Sequence, residues 1–416
     1  MKIAIIGTGI SGLTAAYVLH KHHDITVFEA NDTIGGHTAT VDVEMNGKNW
    51  AIDTGFIVYN DWTYPNFIRL MDELKVKNLP TEMGFSVHCE RTGFEYSGSS
   101  LGSLFAQRKN IFNPSFWRML WDIVRFNKEA ITDLETGKIP EGITLGEYLQ
   151  SRGYGSYFID RYLVPMGAAI WSASTQMMTA FPLKFFVQFF KNHGLLSINN
   201  RPQWRVLQGG SRAYLAPITA PYRDRIKVGS PVTAIRRTAE GVFLRVNGGE
   251  EQQFDQVIIA SHSDQALAML SDATALEQRI LGAIPYQANE VILHTDERML
   301  PKAKAAWASW NYHLAGNEKP YTVLTYAMNI LQRLDCDTTF CVTLNNTDAI
   351  DPEKILRRFN YAHPVFTLDG IAAQQRWSEI NGVNNTWFCG AYWRNGFHED
   401  GVFSALRVCE GLGVIW

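Results

Sequence analysis

The chain has 416 residues, long enough for two lobes with separate cores. Its 46% hydrophobic and 19% charged content excludes a disordered chain, and a net charge of −3, with basic residues scattered among acidic ones, shows no nucleic-acid or anionic-membrane footprint. Cys89, Cys336, Cys341, Cys389 and Cys409 form no C-x-x-C pair and are odd in number, which favours reduced thiols and a cytoplasmic setting over a disulfide framework.

Residues 2–7, KIAIIG, are a short apolar run that ends at glycine, the pattern of a strand buried on both faces. A secretory signal would leave the pattern after its apolar core unconstrained. Here SGLTAAYVLHKH follows, rich in helix formers, with Leu13, Ala16, Tyr17 and Leu19 at helical spacing; DITVFEA then reads as a second strand. The order strand, turn, helix, strand marks the start of a fold.

Gly7, Gly9 and Gly12 make G-x-G-x-x-G between the first strand and the helix, and Glu29 ends the second strand 22 positions after Gly7. Gly7 permits the tight turn, Gly9 lets the backbone approach a pyrophosphate, and Gly12 lets helix and strand pack closely. The phosphates are expected at the helix N-terminus, whose free N–H groups and dipole favour negative charge. Ser11 and Ala30 belong to the same expected contact set. Glu29 would accept hydrogen bonds from a ribose diol and repel a 2′-phosphate, which favours FAD or NAD over NADP.

The chain continues through EANDTIGGHTATV and NWAIDTGFIVYNDWTYPNF. With Gly35 and Gly36, then Asp53, Gly55 and Tyr64-Pro65-Asn66, it resembles the flavin-containing amine oxidase and phytoene-desaturase-like superfamily, closest to a bacterial NAD/FAD-binding, amine-oxidase-like branch. DTGFIVYN, RPQWRVLQGGSRAY and GAYWRNGFHEDG look like signatures of that branch. The resemblance implies noncovalent FAD lying along Gly35, Gly36, His37, Thr54, Gly55, Phe56 and Ile57. His37 stands where the family carries Arg, so a charged contact is missing there while the glycine backbone contacts remain.

Resemblance resumes at WRVLQGGSRAYLAPI, where Gly209 and Gly210 open a helix-like segment, and at IKVGSPVTAI, where Val232 is implied to pack beside adenine. FDQVIIASHSDQAL reads as a strand returning to the flavin lobe. In WFCGAYWRNGFHEDGVF a strand ends at Gly390 and a helix is expected near Gly401, with its N-terminus facing the flavin's pyrimidine end. Where the family carries an acid after the equivalent of Gly390 this chain has Ala391; Glu399 or Asp400 substitutes, or both simply satisfy the helix dipole.

The fold class read from this is α/β: a discontinuous Rossmann-type FAD-binding domain, residues 1–80, 205–270 and 381–416, with an inserted α+β substrate domain from 81–204, read as helical, and 271–380, read as mixed. In the second insertion YQANEVILHT, PYTVLTYAMNI and TFCVTLNN are the strand-like runs. FPLKFFVQFF is broken by Lys184 and Gln188 and is shorter than the roughly 20 apolar residues of a membrane span.

One dinucleotide fingerprint argues against a second, pyridine-nucleotide domain, and no G-x-S-x-G, H-E-x-x-H or P-loop pattern offers a nucleophile, metal or nucleotide-hydrolysis site. Flavin is therefore the expected reagent. His193 and His398 are the candidate proton carriers, His193 with Arg201 and Arg205 nearby in sequence, and Tyr59 with Asn60 a candidate contact. Tyr392 and Trp393 are either pocket walls or core. The expected function is an FAD-dependent oxidoreductase that takes hydride from an organic substrate, leaning to C–C desaturation of a lipid or acyl chain; C–N oxidation of an amine and flavin-dependent double-bond isomerisation are the alternatives. The electron acceptor is open among oxygen, a quinone and others. SFWRMLWDIVRF and FFVQFFKNHGLL either line an acyl tunnel, touch the inner membrane face peripherally, or pack as buried helices.

Overall fold

A computed structural model of the chain describes residues 1–314 and 322–416. The first strand, β1 (Lys2–Ile6), leads through Gly7–Gly9 into helix α1 (Ile10–Leu19) and back into β2 (Asp24–Phe28). Three further strands come from far along the chain: β3 (Ile226–Lys227), β4 (Gln256–Ile259) and β5 (Thr386–Phe388). Together they form one sheet in the order β3-β2-β1-β4-β5, every pair parallel. Ile3, Ala4, Ile5, Val257, Ile258 and Ile259 are buried, as expected for strands covered on both faces. Because β1 lies between β2 and β4, connections leave it in opposite directions, and the carboxyl ends of β1 and β4 border the crevice in which open α/β sheets seat their ligands.

Helix α2 (Pro65–Glu73) starts at the Tyr64-Pro65-Asn66 run, with proline at its first turn, where the missing N–H is of no consequence. The segment expected to be helical over 81–204 begins differently: Phe85–Cys89 and Phe94–Ser97 are strands, and helices follow, chiefly α3 (Pro114–Glu135) and α4 (Leu183–Asn192). Those two strands complete a seven-stranded sheet whose other members are Trp310–Leu314, Leu324–Ala327, Cys341–Leu344, Tyr286–His294 and Ile355–Pro364. Of the strand-like run PYTVLTYAMNI, Pro320 and Tyr321 lie outside the described residues. The helices pack on this sheet through Phe116, Phe126, Phe158, Phe181, Phe186 and their neighbours, a core separate from the one beneath the parallel sheet.

The last helix, α5 (His398–Gly411), begins three residues before the position expected from sequence. It crosses α1 closely enough that a β-carbon on Gly401 would sit 2.7 Å from Ile10 and 2.9 Å from the Ser11 hydroxyl. No described helix is long and apolar enough to cross a membrane.

Candidate functional site

The glycine turn shows a division of labour. Gly7 has φ +101°, a conformation that L side chains rarely adopt, and its N–H donates to the Phe28 carbonyl at 2.8 Å, which fixes the turn to β2. A β-carbon on Gly12 would overlap the Gly7 carbonyl oxygen, so α1 can lie on β1 only with glycine there. Gly9 differs from both: its φ of −65° suits any residue and a β-carbon would meet nothing within 4 Å. The space over Gly9 is open. No side chain caps α1 and its first turn contains no acid, although Ile10, Ser11 and Gly12 are buried. A helix start with its N–H groups uncapped and room in front of it is a site for an anion.

Glu29 is buried beside this turn. One carboxylate oxygen accepts from the N–H of Thr8 at 3.0 Å and from its hydroxyl; the other accepts from the N–H and amide of Asn31, at 2.9 and 3.0 Å. These four donors fill the carboxylate, so a ribose diol would enter by replacing the Thr8 hydroxyl or the Asn31 amide. Ala30, the next residue, is exposed. The chain after β3 runs alongside, with Ser230 donating to the Glu29 carbonyl at 2.7 Å, and this brings Val232 to the same end.

Gly36 closes the turn from above: its φ is +57°, and a β-carbon there would lie 3.1 Å from the Cα of Gly9. Gly35, at φ +123°, donates to the Thr8 hydroxyl at 3.2 Å. His37 comes next and is half-buried, its Nε2 screened from solvent with no hydrogen-bond partner. Its ring lies 5.3 Å from Tyr361, 5.5 Å from His363 and 5.8 Å from His262. Burial, followed by repulsion from His363 and His262, pushes the imidazole down to about 3. His363, which accepts from or donates to the Asn289 amide at 3.2 Å, is lowered to about 4, chiefly by burial. The Arg position of the resemblance is therefore occupied by a neutral side chain in a cluster of neutral imidazoles.

Asp53 ties together segments far apart in the chain. Fully buried, it accepts from the Thr40 hydroxyl (2.6 Å), the Ser211 N–H and hydroxyl (2.8 and 3.0 Å) and the Gln332 amide (2.9 Å). Burial raises its carboxyl to about 6 despite these donors. Gly210, at φ +88°, faces it; a β-carbon there would meet Thr40 and lie 3.0 Å from Asp53 Oδ1. Beyond Asp53, the Thr54 hydroxyl pairs with Tyr361 at 3.0 Å, Gly55 abuts the His37 carbonyl oxygen, and Phe56 stacks on His398 at 3.6 Å. Ile57 points into a core cluster with Val43, Ile52 and Val206.

At the carboxyl end, the Gly390 N–H donates to the Ser404 hydroxyl at 2.8 Å. Tyr392 and Trp393 are buried in the core beneath the parallel sheet, and neither lines the apolar cavity described below. The two acids at the start of α5 are committed to helix ends. Glu399 caps α2, accepting from the Asn66 amide (2.6 Å) and the N–H groups of Asn66 (3.3 Å) and Phe67 (2.8 Å). Asp400 caps α5 itself through the Phe397 N–H at 3.0 Å, and burial raises its carboxyl to about 6.

Of the three candidate catalytic residues, only His398 lies near the glycine segments. It is buried, with Nε2 3.2 Å from the Thr38 hydroxyl, and burial holds it well below the usual imidazole range. His193 stacks on Phe189 at 3.8 Å and pairs through Nδ1 with the Phe189 carbonyl at 2.9 Å, the geometry of a helix end closed by its own side chain. Tyr59 is buried against Phe67 and Tyr64, and burial pushes its hydroxyl up to about 12. Thr8, Asn31, His262, Tyr361 and His363 were missed from sequence. Ser261-His262 had a signal, since it directly follows a buried parallel strand; His363 and Tyr361 share a strand face with nothing in sequence linking them to the glycines.

A model of flavin containing amine oxidoreductases matches residues 10–330. The chain belongs to that family. Human amine oxidase [flavin-containing] B is 26% identical over 271 residues, covering 62% of this chain and 49% of the human protein, so the chain spans about half the length of such curated relatives. A probable flavin-containing monooxygenase 1 of Arabidopsis thaliana is 36% identical over a shorter stretch of 86 residues, 18% of this chain and 15% of that protein. Among solved structures, cyclohexylamine oxidase from Brevibacterium oxydans superposes with a TM-score of 0.70 at 16% identity, covering 99% of both chains. A fatty acid isomerase from P. acnes superposes with a TM-score of 0.71 at 15% identity, covering 99% of this chain and 98% of that one. These two share the fold.

Membership places the protein among FAD-dependent oxidoreductases, with FAD as cofactor. The residues present fit that group: α1 is uncapped, Gly9 faces open space, and Gly36 leaves room that any side chain would fill.

Proposed function

We propose that this flavoprotein withdraws hydride from one carbon of a lipid or acyl-type substrate while the adjacent carbon loses a proton to solvent, forming a C=C bond. FAD in its oxidised form supplies the two-electron acceptor for such chemistry. In a Rossmann-type reading of the parallel sheet, Gly7, Gly9, Gly12 and the start of α1 would hold its diphosphate, Glu29 its ribose, and Gly35, Gly36 and the start of α5 the flavin end.

The feature that supports the substrate reading is the largely apolar lining of a narrow cleft between the helical insertion and the strand Ile355–Pro364, which at about 10 Å³ would have to widen to admit a chain. Trp171, Ala173, Met177, Phe181, Pro364, Val365 and Phe366 line it, with the Gln287 amide as the polar group among the described lining residues. An alkyl chain needs no polar partner there, whereas an alkylammonium would have the ring faces of Trp171, Phe181 and Phe366 but no carboxylate among the described lining residues to neutralise it. Aromatic rings continue from there toward α5: Trp171 lies 4.7 Å from Phe189, and Phe189 lies 5.4 Å from Phe397, the residue that precedes the helix. Such a wall would exclude water and orient an uncharged chain. That an acyl substrate suits the architecture agrees with the fatty acid isomerase that shares it.

The isomerase neighbour also supports a second reading, double-bond migration without net oxidation. Anaerobic mixing of the yellow protein with unsaturated and saturated acyl lipids, and with alkylamines, separates the possibilities. Flavin bleaching with a new double bond is the expected result. Bleaching by amines with aldehyde formation would overturn the substrate class; product without bleaching would establish the isomerase reading instead.

A further inference from the structure

The overall charge of −3 conceals a local surface of opposite character. Helix α3 buries Phe116, Met119, Phe126 and Ala130 against the lobe. Its outward face, where a solvated helix carries polar residues, instead presents Trp117 (50% exposed), Trp121 (65%) and Val124 (50%), spaced i, i+4, i+7 along one stripe. The turn before it, Arg108–Phe112, exposes Ile111 and leaves Phe112 87% exposed. The patch is continuous: the Trp117 indole donates to the Ile111 carbonyl at 2.8 Å, and Phe105 lies 5.6 Å from Trp117. Leu101, 78% exposed, starts the short helix that Phe105 ends.

Charge sorts around the same patch. Between Gly98 and Lys128 the sequence holds Arg108, Lys109, Arg118, Arg125 and Lys128, and one acid, Asp122. Asp122 is fully buried, under Arg118 and Arg125, and the next acid, Glu129, pairs with Arg125 at 3.1 Å, so Arg108, Lys109 and Lys128 are the cations of this surface without an ion pair among the described residues. Arg108, Lys109, Arg118 and Lys128 are exposed. Protruding Phe and Trp side chains ringed by Lys and Arg are what the headgroup boundary of an anionic bilayer selects, apolar groups entering below and cations meeting the phosphates. A second copy fits poorly, because a two-fold contact would set this basic ring against its own image.

We propose that the Leu101–Lys128 surface docks the protein onto membranes containing anionic phospholipid, with α3 lying in the headgroup plane and Phe112 the deepest-inserted side chain. This rests on exposure and charge alone and holds whether the substrate is a lipid or not.

The test is flotation of the full-length FAD-loaded protein with vesicles of neutral phosphatidylcholine and of phosphatidylcholine with phosphatidylglycerol. Binding at least tenfold stronger to the anionic vesicles is expected, falling with added salt. F112S/W121S and K109E/K128E should each weaken it about tenfold or more, with melting temperature and flavin absorbance unchanged, since none of these side chains is buried. Failure of the native protein to float with anionic vesicles, or flotation indifferent to both double substitutions, would overturn the proposal. So would sedimentation showing a dimer that F112S/W121S converts to monomer, because a second copy would then cover the patch.

Discussion

Gly9 and Gly12 belong to one motif, yet the structure assigns them opposite sensitivities. In Gly9→Val the new β-carbon enters open space from an extended backbone, so the flavin-free protein should be as stable as wild type or gain about 0.4–1 kcal/mol from a stiffer unfolded chain. The same side chain stands where a diphosphate approaches the uncapped N–H groups of α1. Losing two charge-assisted hydrogen bonds there, at about 1.5–3 kcal/mol each, weakens FAD binding by roughly a hundredfold or more. In Gly12→Ala the β-carbon overlaps the Gly7 carbonyl oxygen and comes within 3.2 Å of Ala260, while Gly7 is tethered to Phe28. Relief requires lifting α1 off the sheet, and an overpacking cost of at least about 1–3 kcal/mol falls on the flavin-free protein itself. Urea unfolding of the flavin-free forms, together with visible absorbance after reconstitution, reads both quantities. Stoichiometric flavin in Gly9→Val, or equal destabilisation of the two flavin-free variants, would refute this division.

Burial raises the carboxyls of Asp53 and Asp400 from 3.8 to about 6, so between these values the unfolded chain releases protons that the folded chain keeps, and stability falls as pH rises through about 4–6. Relative to wild type, Asp53→Asn should therefore gain about 2 kcal/mol of unfolding free energy on going from pH 4 to pH 6, and a pH-independent difference would contradict the assignment. Glu399→Gln should lose about 1 kcal/mol from the α2 cap and leave the flavin spectrum unchanged; an altered spectrum would mean that the carboxylate serves the flavin after all. His193→Ala should lower the melting temperature through its lost stacking and hydrogen bond, while flavin content and turnover per bound flavin stay at wild-type values. His37→Arg places a permanent charge beside Gly36 and should tighten FAD about tenfold, measured by fluorescence titration; unchanged or weaker binding would show that the cluster needs neutral rings.

The cradle at the amino terminus was legible because each of its constraints is local. A buried parallel strand must be continuously apolar, a turn at φ +101° must be glycine, and a helix touching that strand must carry glycine at the contact, all within the first twelve residues. Side-chain chemistry on that cradle was less legible. Glu399 and Asp400 look alike on the page; that one caps its own helix and the other caps α2, 333 positions away, follows from how α5 lies against α2. The strands Phe85–Cys89 and Phe94–Ser97 are short and sit ahead of a long helical stretch, and only their pairing with residues more than 200 positions on makes them part of a sheet.

Two outcomes show where the boundary falls. A continuously apolar run ending at fixed glycines, followed by a helical run and a second strand, specifies a βαβ unit, so that unit follows from thirty residues read in order. Neutral imidazoles at His37, His262 and His363, and an outward aromatic stripe on α3 among basic residues, depend on burial and exposure that no spacing encodes. Desolvation is a property of surroundings, and surroundings are assembled only when segments hundreds of residues apart come to lie together.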